Sequence, residues 1–439
     1  MKFRGLIIAV VVLLVLGGLL YWSSHRKPSL EIPDTRASAA PSILSLDRGA
    51  ITGLTLTGKD SAPGALKKSN SDQWQITAPK AWNADQDAVS GVLSTLSSLN
   101  ADRVVEDKTQ DLKQYGLDEP AETIVVTEKN GKEHKLLLGD GTPAGGDVYA
   151  MLAGDPRVFT IAGYNKTSID KGLNDLRDKR LVTIEPDKLS RVELAKKAGN
   201  IEFARIKDGW QILKPQPMRA DGFAVDELVR AVTDARMVLG GAEGSDAAAK
   251  FAQGSPVATV TLTGDRGAQT LELHKDKDDY YAKSTAVEGD YKVDSSLGLA
   301  LDKSLDDFRN KKLFDLGYEE PGKIELRSGA KSWFFTRSGS DWWSNGKKMD
   351  GDAVESLVEK LRDLSATGFP GSGFSSPDVE ATVTSNDGKQ VERIAIAKSG
   401  ENYIAKRENE PALYQLDASA VDGLTAAADA VRPAATPAK

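Results

Sequence analysis

No cysteine occurs among the 439 residues, which excludes disulfides, thiolate metal sites and a cysteine nucleophile. Histidine is scarce: His25, His134 and His274 leave little from which to build a histidine-based metal centre. Glycine-rich phosphate loops are missing, and the stretch GSDWWSNGKK (Gly339 to Lys348) lacks the spacing and hydroxyl of a P-loop. Neither a G-x-S-x-G nucleophile elbow nor an H-E-x-x-H zinc motif is present. The chain also has no basic tract. Its 57 basic and 64 acidic side chains are interspersed, giving a net charge of -7, so no nucleic-acid partner is expected. No cofactor is implied by any of these residues.

Long apolar runs are equally rare, with one exception. Gly5 to Trp22, GLIIAVVVLLVLGGLLYW, carries no charge. As a helix it spans roughly 27 Å, close to the hydrocarbon core of a bilayer. Tyr21 and Trp22 close the run where interfacial aromatics prefer to sit, and Lys2 and Arg4 favour a cytoplasmic amino terminus. A cleaved signal peptide fits less well, because the run is long and Ala37-Ser38-Ala39 lies too far beyond it. The expectation is a single-pass anchor in the inner membrane through residues 5–22, with the bulk of the chain exported. The following stretch, His25 to Ser42, is rich in Pro, Ser and Ala and reads as a tether.

What fills the rest is repetition. The phrase DQWQITAPKAWNAD (Asp72 to Asp85) returns as DGWQILKPQPMRAD (Asp208 to Asp221). Three copies of a longer unit emerge around it. Each opens with an alternating strand: ITGLTLTG (Ile51 to Gly58), LSRVELAK (Leu189 to Lys196) and PGKIELRS (Pro321 to Ser328). A hairpin then delivers a tryptophan, Trp74, Trp210 and Trp343, with Trp342 as the alternative in the third copy. Asp85, Asp221 and Asp350 follow as helix N-caps. Apolar stripes succeed them at helical spacing: Val89, Val92, Leu93, Leu96; Val225, Leu228, Val229, Val232; and Val354, Leu357, Val358, Leu361. Corners ending in Pro120, Pro256 and Pro377 lead into strand pairs, with Asn130-Gly131 and Asp387-Gly388 as hairpin turns. Copies one and two close with LNDLRDKRL (Leu173 to Leu181) and LDDFRNKKLF (Leu305 to Phe314), read as helices.

The fold class is therefore α+β: an N-terminal transmembrane helix, then three tandem units of antiparallel strands packed with one or two amphipathic helices. Residues 1–24 are the anchor, 25–42 the tether, 43–181, 182–314 and 315–425 the units, and 426–439 a disordered tail. A phrase copied together with its helix, corner and strands is architecture rather than a catalytic site.

Few candidate functional residues remain. The basic segments Arg177, Lys179, Arg180 and Arg309, Lys311, Lys312 suit a helix C-terminus, where cations are favoured, or else the packing of neighbouring repeats or a contact with a partner. Trp82 stands out because its counterpart, Met218, is not aromatic. His134 and His274 fall at corresponding strand places and read as solvent-facing. Asp276, Asp278 and Asp279 lack the glycine and terminal glutamate of a calcium loop and read as a solvated turn.

The anchor, the tryptophan-to-helix block, YGLDEP and LNDLRDKRLVTIEPDKLSRVEL together resemble a bacterial family, domain-of-unknown-function family 4340. The resemblance covers essentially the whole chain after the tether; the third copy departs most, lacking a closing LRDKRL. It implies membrane-anchored proteins with this repeated unit, associated with gliding-motility-type ABC transporters, and it supplies no catalytic residue. The expected function is a non-enzymatic, periplasm-facing binding or scaffold protein accessory to an ABC-2-type exporter, its partner a permease, an ATPase or another envelope protein. A cell-wall or polysaccharide binding module and an envelope hydrolase are the alternatives.

Overall fold

The computed structural model describes residues 41–59, 62–143, 145–207, 209–240, 245–316 and 321–435. The expected anchor and nearly all of the tether lie outside these residues. Among the described residues no helix is long and apolar enough to cross a membrane. The chain divides after Asp178 into two compact units, the first holding repeat one and the second holding repeats two and three.

Repeat one is a nine-stranded antiparallel sheet with helices. Its elements are β1 (Ile51–Gly58), β2 (Gly64–Lys68), β3 (Trp74–Ala78), β4 (Trp82–Asn83), α1 (Gln86–Ser97), β5 (Arg103–Glu106), β6 (Glu122–Glu128), β7 (Glu133–Gly141), β8 (Asp147–Leu152), β9 (Val158–Ala162), α2 (Gly163–Ile169) and α3 (Leu173–Leu176). Strand order is β4-β3-β2-β1-β6-β7-β8-β9-β5. The chain meanders outward from β1 to β4, and after α1 it returns to β1's free edge with β6. Local residues explain the crossing. Asp85 accepts hydrogen bonds from the amides of Asp87 and Ala88 at 3.1 and 3.0 Å, satisfying two of the first turn's orphan donors. Val89, Val92, Leu93 and Leu96 then form a buried stripe against the sheet.

Repeats two and three are eight-stranded sheets with the same antiparallel order around Leu189–Lys196 and Pro321–Ser328. Their helices, Gly222–Thr233 and Gly351–Asp363, are capped by Asp221 and Asp350 and bury the corresponding stripes. Copies one and two agree down to cis peptides at Ala78-Pro79 and Lys214-Pro215. The turn glycines Gly131 and Gly388 sit at φ 83° and 73°, where a side chain would be strained.

In the third copy the core tryptophan is Trp342, only 5% exposed beside 7% for Trp74 and 4% for Trp210, whereas Trp343 faces outward. Register settles it: Trp342 pairs with Arg337 as Trp210 pairs with Arg205. A one-residue slip exchanges the faces of a strand.

The closing segments also differ from expectation. LNDLRDKRL makes a single helical turn, Leu173–Leu176, and LDDFRNKKLF a 3-10 turn, Leu305–Asp307, before both become extended. The backbone is claimed elsewhere. Leu176 O accepts from the Asp85 amide at 2.8 Å, and Phe308 O from the Asp221 amide at 2.8 Å. Arg177 and Arg309 bridge to Ala84 and Ala220. The third copy does this with another segment: Arg432 O accepts from the Asp350 amide at 2.9 Å, and Pro433 bridges to Met349. Residues expected to begin a tail at Ala426 therefore continue the helix Ala418–Ala430, with Ala428 and Val431 buried.

Candidate functional site

The sequence-derived candidates come together in part. Arg177 is buried, and its guanidinium lies 4.5 Å from the Trp82 ring centroid, so these two form one cation-π pair in repeat one. Arg309 sits 3.5 Å from the Phe369 centroid and 3.2 Å from Asp306. Arg177 is the C-cap of the one-turn helix Leu173–Leu176, as the sequence suggested, whereas Arg309 lies one residue beyond the cap of the 3-10 turn Leu305–Asp307. Lys312 donates to Arg362 O at 2.8 Å; Lys179, Lys311 and Arg180 contribute backbone pairing to Met237, Ala366 and Arg236. The basic segments thus hold the fold together. His134 and His274 are not solvent-facing, their side chains being 13% and 12% exposed. The helix Ser245–Gln253 brings Phe251 flat against His274 at 4.0 Å, and covers its ring. Among the described residues no group of three His, Asp or Glu is arranged to hold a metal ion.

A residue the sequence reading passed over defines the most unusual site. Glu122 opens β6 and shares the inward face with Ile124 and Val126. It is 7% exposed, and its Oε2 has no hydrogen-bond partner among the described residues. The neighbours across the sheet explain this: Gly58 on β1 has no side chain to offer, and Leu138 on β7 has no polar atom. Equivalent register positions are occupied by Ala258 and Val379, six residues before the Gly264 and Ser385 that match Glu128. Both are buried. Two copies thus fill with hydrocarbon a position where the first places a carboxyl group. Aligning the copies residue by residue gives the signal that could have found it.

Glu122 lines a cavity of about 450 Å³ whose apolar walls include Leu56, Leu138, Leu173 and Trp82. Leu173 reaches it because Gly64 opens β2; a Cβ there would stand 2.4 Å from Leu173 Cδ2. The charged members are Lys166, Asp170 and Lys171, of which Lys166 and Asp170 pair with each other. Burial first, and then the Asp170 carboxylate, push the Glu122 carboxyl from 4.5 up to about 7, against a weaker pull from Lys166.

Stability follows with a definite sign. Between about pH 4.5 and 7 the folded chain holds a proton that the unfolded chain has released, so stability falls as pH rises through that window. Glu122→Val, which installs the third copy's residue, should raise repeat one's stability at pH 8 by roughly 2–3 kcal/mol. Below pH 4.5 most of that gain should vanish. Thermal melts of both proteins at the two pH values measure this; a variant less stable at pH 8 would contradict it.

A second concavity of about 610 Å³ lies on the outward face of the third sheet, with Trp333, Phe334 and Phe374 among its lining residues. Some of its charges are paired: Arg393 meets Glu408 at 2.7 Å, and Arg327 approaches Glu380 at 3.9 Å. This is a solvated sheet face with aromatic edges, suited to a surface contact more than to chemistry.

No curated protein and no solved structure matches the chain. A family model described as "Domain of unknown function (DUF4340)" matches residues 74–214 and again residues 210–382. Each match begins at a core tryptophan, Trp74 and then Trp210, so the model follows the repeat seen in the fold. With the two matches covering well over half of its length, the chain belongs to the DUF4340 family.

Proposed function

We propose that this is a non-enzymatic, membrane-anchored binding or scaffold protein, its repeats facing the periplasm as an accessory to an ABC-2-type exporter. The observation that carries the binding reading is the outward face of the third sheet. There Trp333, Phe334 and Phe374 edge a broad concavity, while the helices Gly351–Asp363 and Ala418–Ala430 pack into the core cluster. Such a face offers a partner protein aromatic anchors beside charged and polar side chains. The exporter as partner, and the anchor in the inner membrane, rest on the family resemblance and on the apolar run at residues 5–22. A glycan-binding surface would rest on Trp333 and the outward-facing Trp343, since Trp74, Trp210 and Trp342 are buried and the Trp82 ring is stacked by Arg177.

Crosslinking in native membranes followed by capture of the intact protein tests this reading. The expected result is repeated recovery of a permease together with its ATPase. Wall glycan recovered without any transporter subunit would overturn it.

A further inference from the structure

The cavity of repeat one is built around a group that costs the fold stability. A buried carboxyl without a partner is disfavoured by its lost hydration, and the fold is demonstrably able to place Ala or Val at the same register position. Something outside the chain should therefore complete it. Glu122 offers an acceptor oxygen with no donor among the described residues. Leu56, Leu138, Leu173 and the Trp82 ring supply apolar surface around it. Asp170 adds a second carboxylate, and its pairing with Lys166 leaves Lys171 as the lining cation without such a partner among the cavity's acids. Among the described residues no other charged side chain lines the cavity, since β1, β2, β4, β7 and α3 contribute only apolar, glycine and asparagine residues to it.

We propose that repeat one binds an organic ammonium ligand in this cavity, its cationic head hydrogen-bonded to Glu122 and its apolar body against Leu56, Leu138, Leu173 and Trp82. A charge-assisted bond to a desolvated carboxylate is stronger than a neutral one. The volume admits a body of about six to ten carbon atoms, within the range of ordinary small-ligand pockets. Because the empty site holds Glu122 protonated up to about pH 7, binding a cation at lower pH expels that proton. Nothing here depends on the identity of the membrane partner.

The probe is hexylammonium, with 1-hexanol as its uncharged counterpart, titrated calorimetrically into the full chain in lipid nanodiscs. Hexylammonium should bind at least tenfold more tightly than hexanol at pH 8. Its affinity should fall by up to tenfold for each pH unit below about 7, with one proton released per ligand; hexanol should show neither effect. Glu122→Gln keeps the side chain's shape without its charge, and should lose at least tenfold in hexylammonium affinity together with the pH dependence. Proton release is read by repeating the titration in buffers of different ionisation enthalpy. Equal affinity for the two probes, or unchanged hexylammonium binding by a folded Glu122→Gln protein, would overturn the proposal. Since no transporter subunit is present, that failure would leave the crosslinking result untouched.

Discussion

Replacing Arg407 with methionine should destabilise the second unit by roughly 3–5 kcal/mol, the usual cost of orphaning a buried charge. Arg407 is 9% exposed and Glu392 8%. The guanidinium donates to Leu313 O and to Glu410 at 2.8 Å, and approaches Glu392 at 3.4 Å and Asp315 at 3.8 Å. Arg219, from the preceding repeat, joins the same group. It meets Asp315 at 2.7 Å, and its Nε lies 2.9 Å from Glu410 at an angle that makes an ion pair without a hydrogen bond. Tyr414 completes the knot by donating to Glu410 at 2.6 Å. Two arginines already face three carboxylates, so methionine at position 407 leaves Glu392 without a cation, held only by the Asp315 amide at 2.9 Å and Gln390 Nε2 at 2.6 Å. If the stranded charge is the cause, Arg407→Met with Glu392→Gln should recover at least half of the loss. Scanning calorimetry on the wild type, the single variants and the double variant measures it. Additive losses would show that packing, rather than charge, sets the cost.

Phe308→Ala should cost about 3–5 kcal/mol, the range for deleting a fully buried aromatic ring. Phe308 is completely buried and meets Phe203 edge to face, centroids 5.1 Å apart at 69°. Its carbonyl also accepts from the Asp221 amide, so the ring pins the segment that completes the N-cap of helix Gly222–Thr233. Leu176 holds the same backbone position in repeat one, satisfying Asp85. Phe308→Leu should therefore cost well under half as much as Phe308→Ala, because it keeps an apolar anchor of the type the fold already uses. Thermal unfolding gives the two losses. Amide exchange at Asp221 should quicken in the alanine variant and stay near wild type in the leucine variant; equal exchange in both would detach the ring from the cap.

Both experiments concern contacts that no window of sequence displays. Arg219 and Tyr414 are 195 residues apart in the chain, and Arg407 and Leu313 are 94 apart. Glu122 escaped notice for a different reason. In ETIVVTE it reads as the polar start of a strand; alignment with Ala258 and Val379 marks it as odd, and the pairing of β6 between Gly58 and Leu138 shows that it is turned inward. The basic segments misled in the opposite direction. LNDLRDKRL has the composition of a helix end, but the amides of Asp85 and Asp178 are satisfied by pairing its backbone with Ala84 and its neighbours, and that pairing requires an extended chain.

By itself the sequence determined the three-fold repetition, the three opening strands to their end residues, the aspartate caps and the buried helix stripes. These follow from local rules: period-two and period-3.6 patterns, and side chains that bond to backbone within three residues. Tertiary structure alone decided which tryptophan of the third copy enters the core, how each copy closes on its own cap, and which carboxylates are neutralised or left alone. Those outcomes depend on register and on long-range partners, where a shift of one residue or a distant arginine changes the sign of a contact.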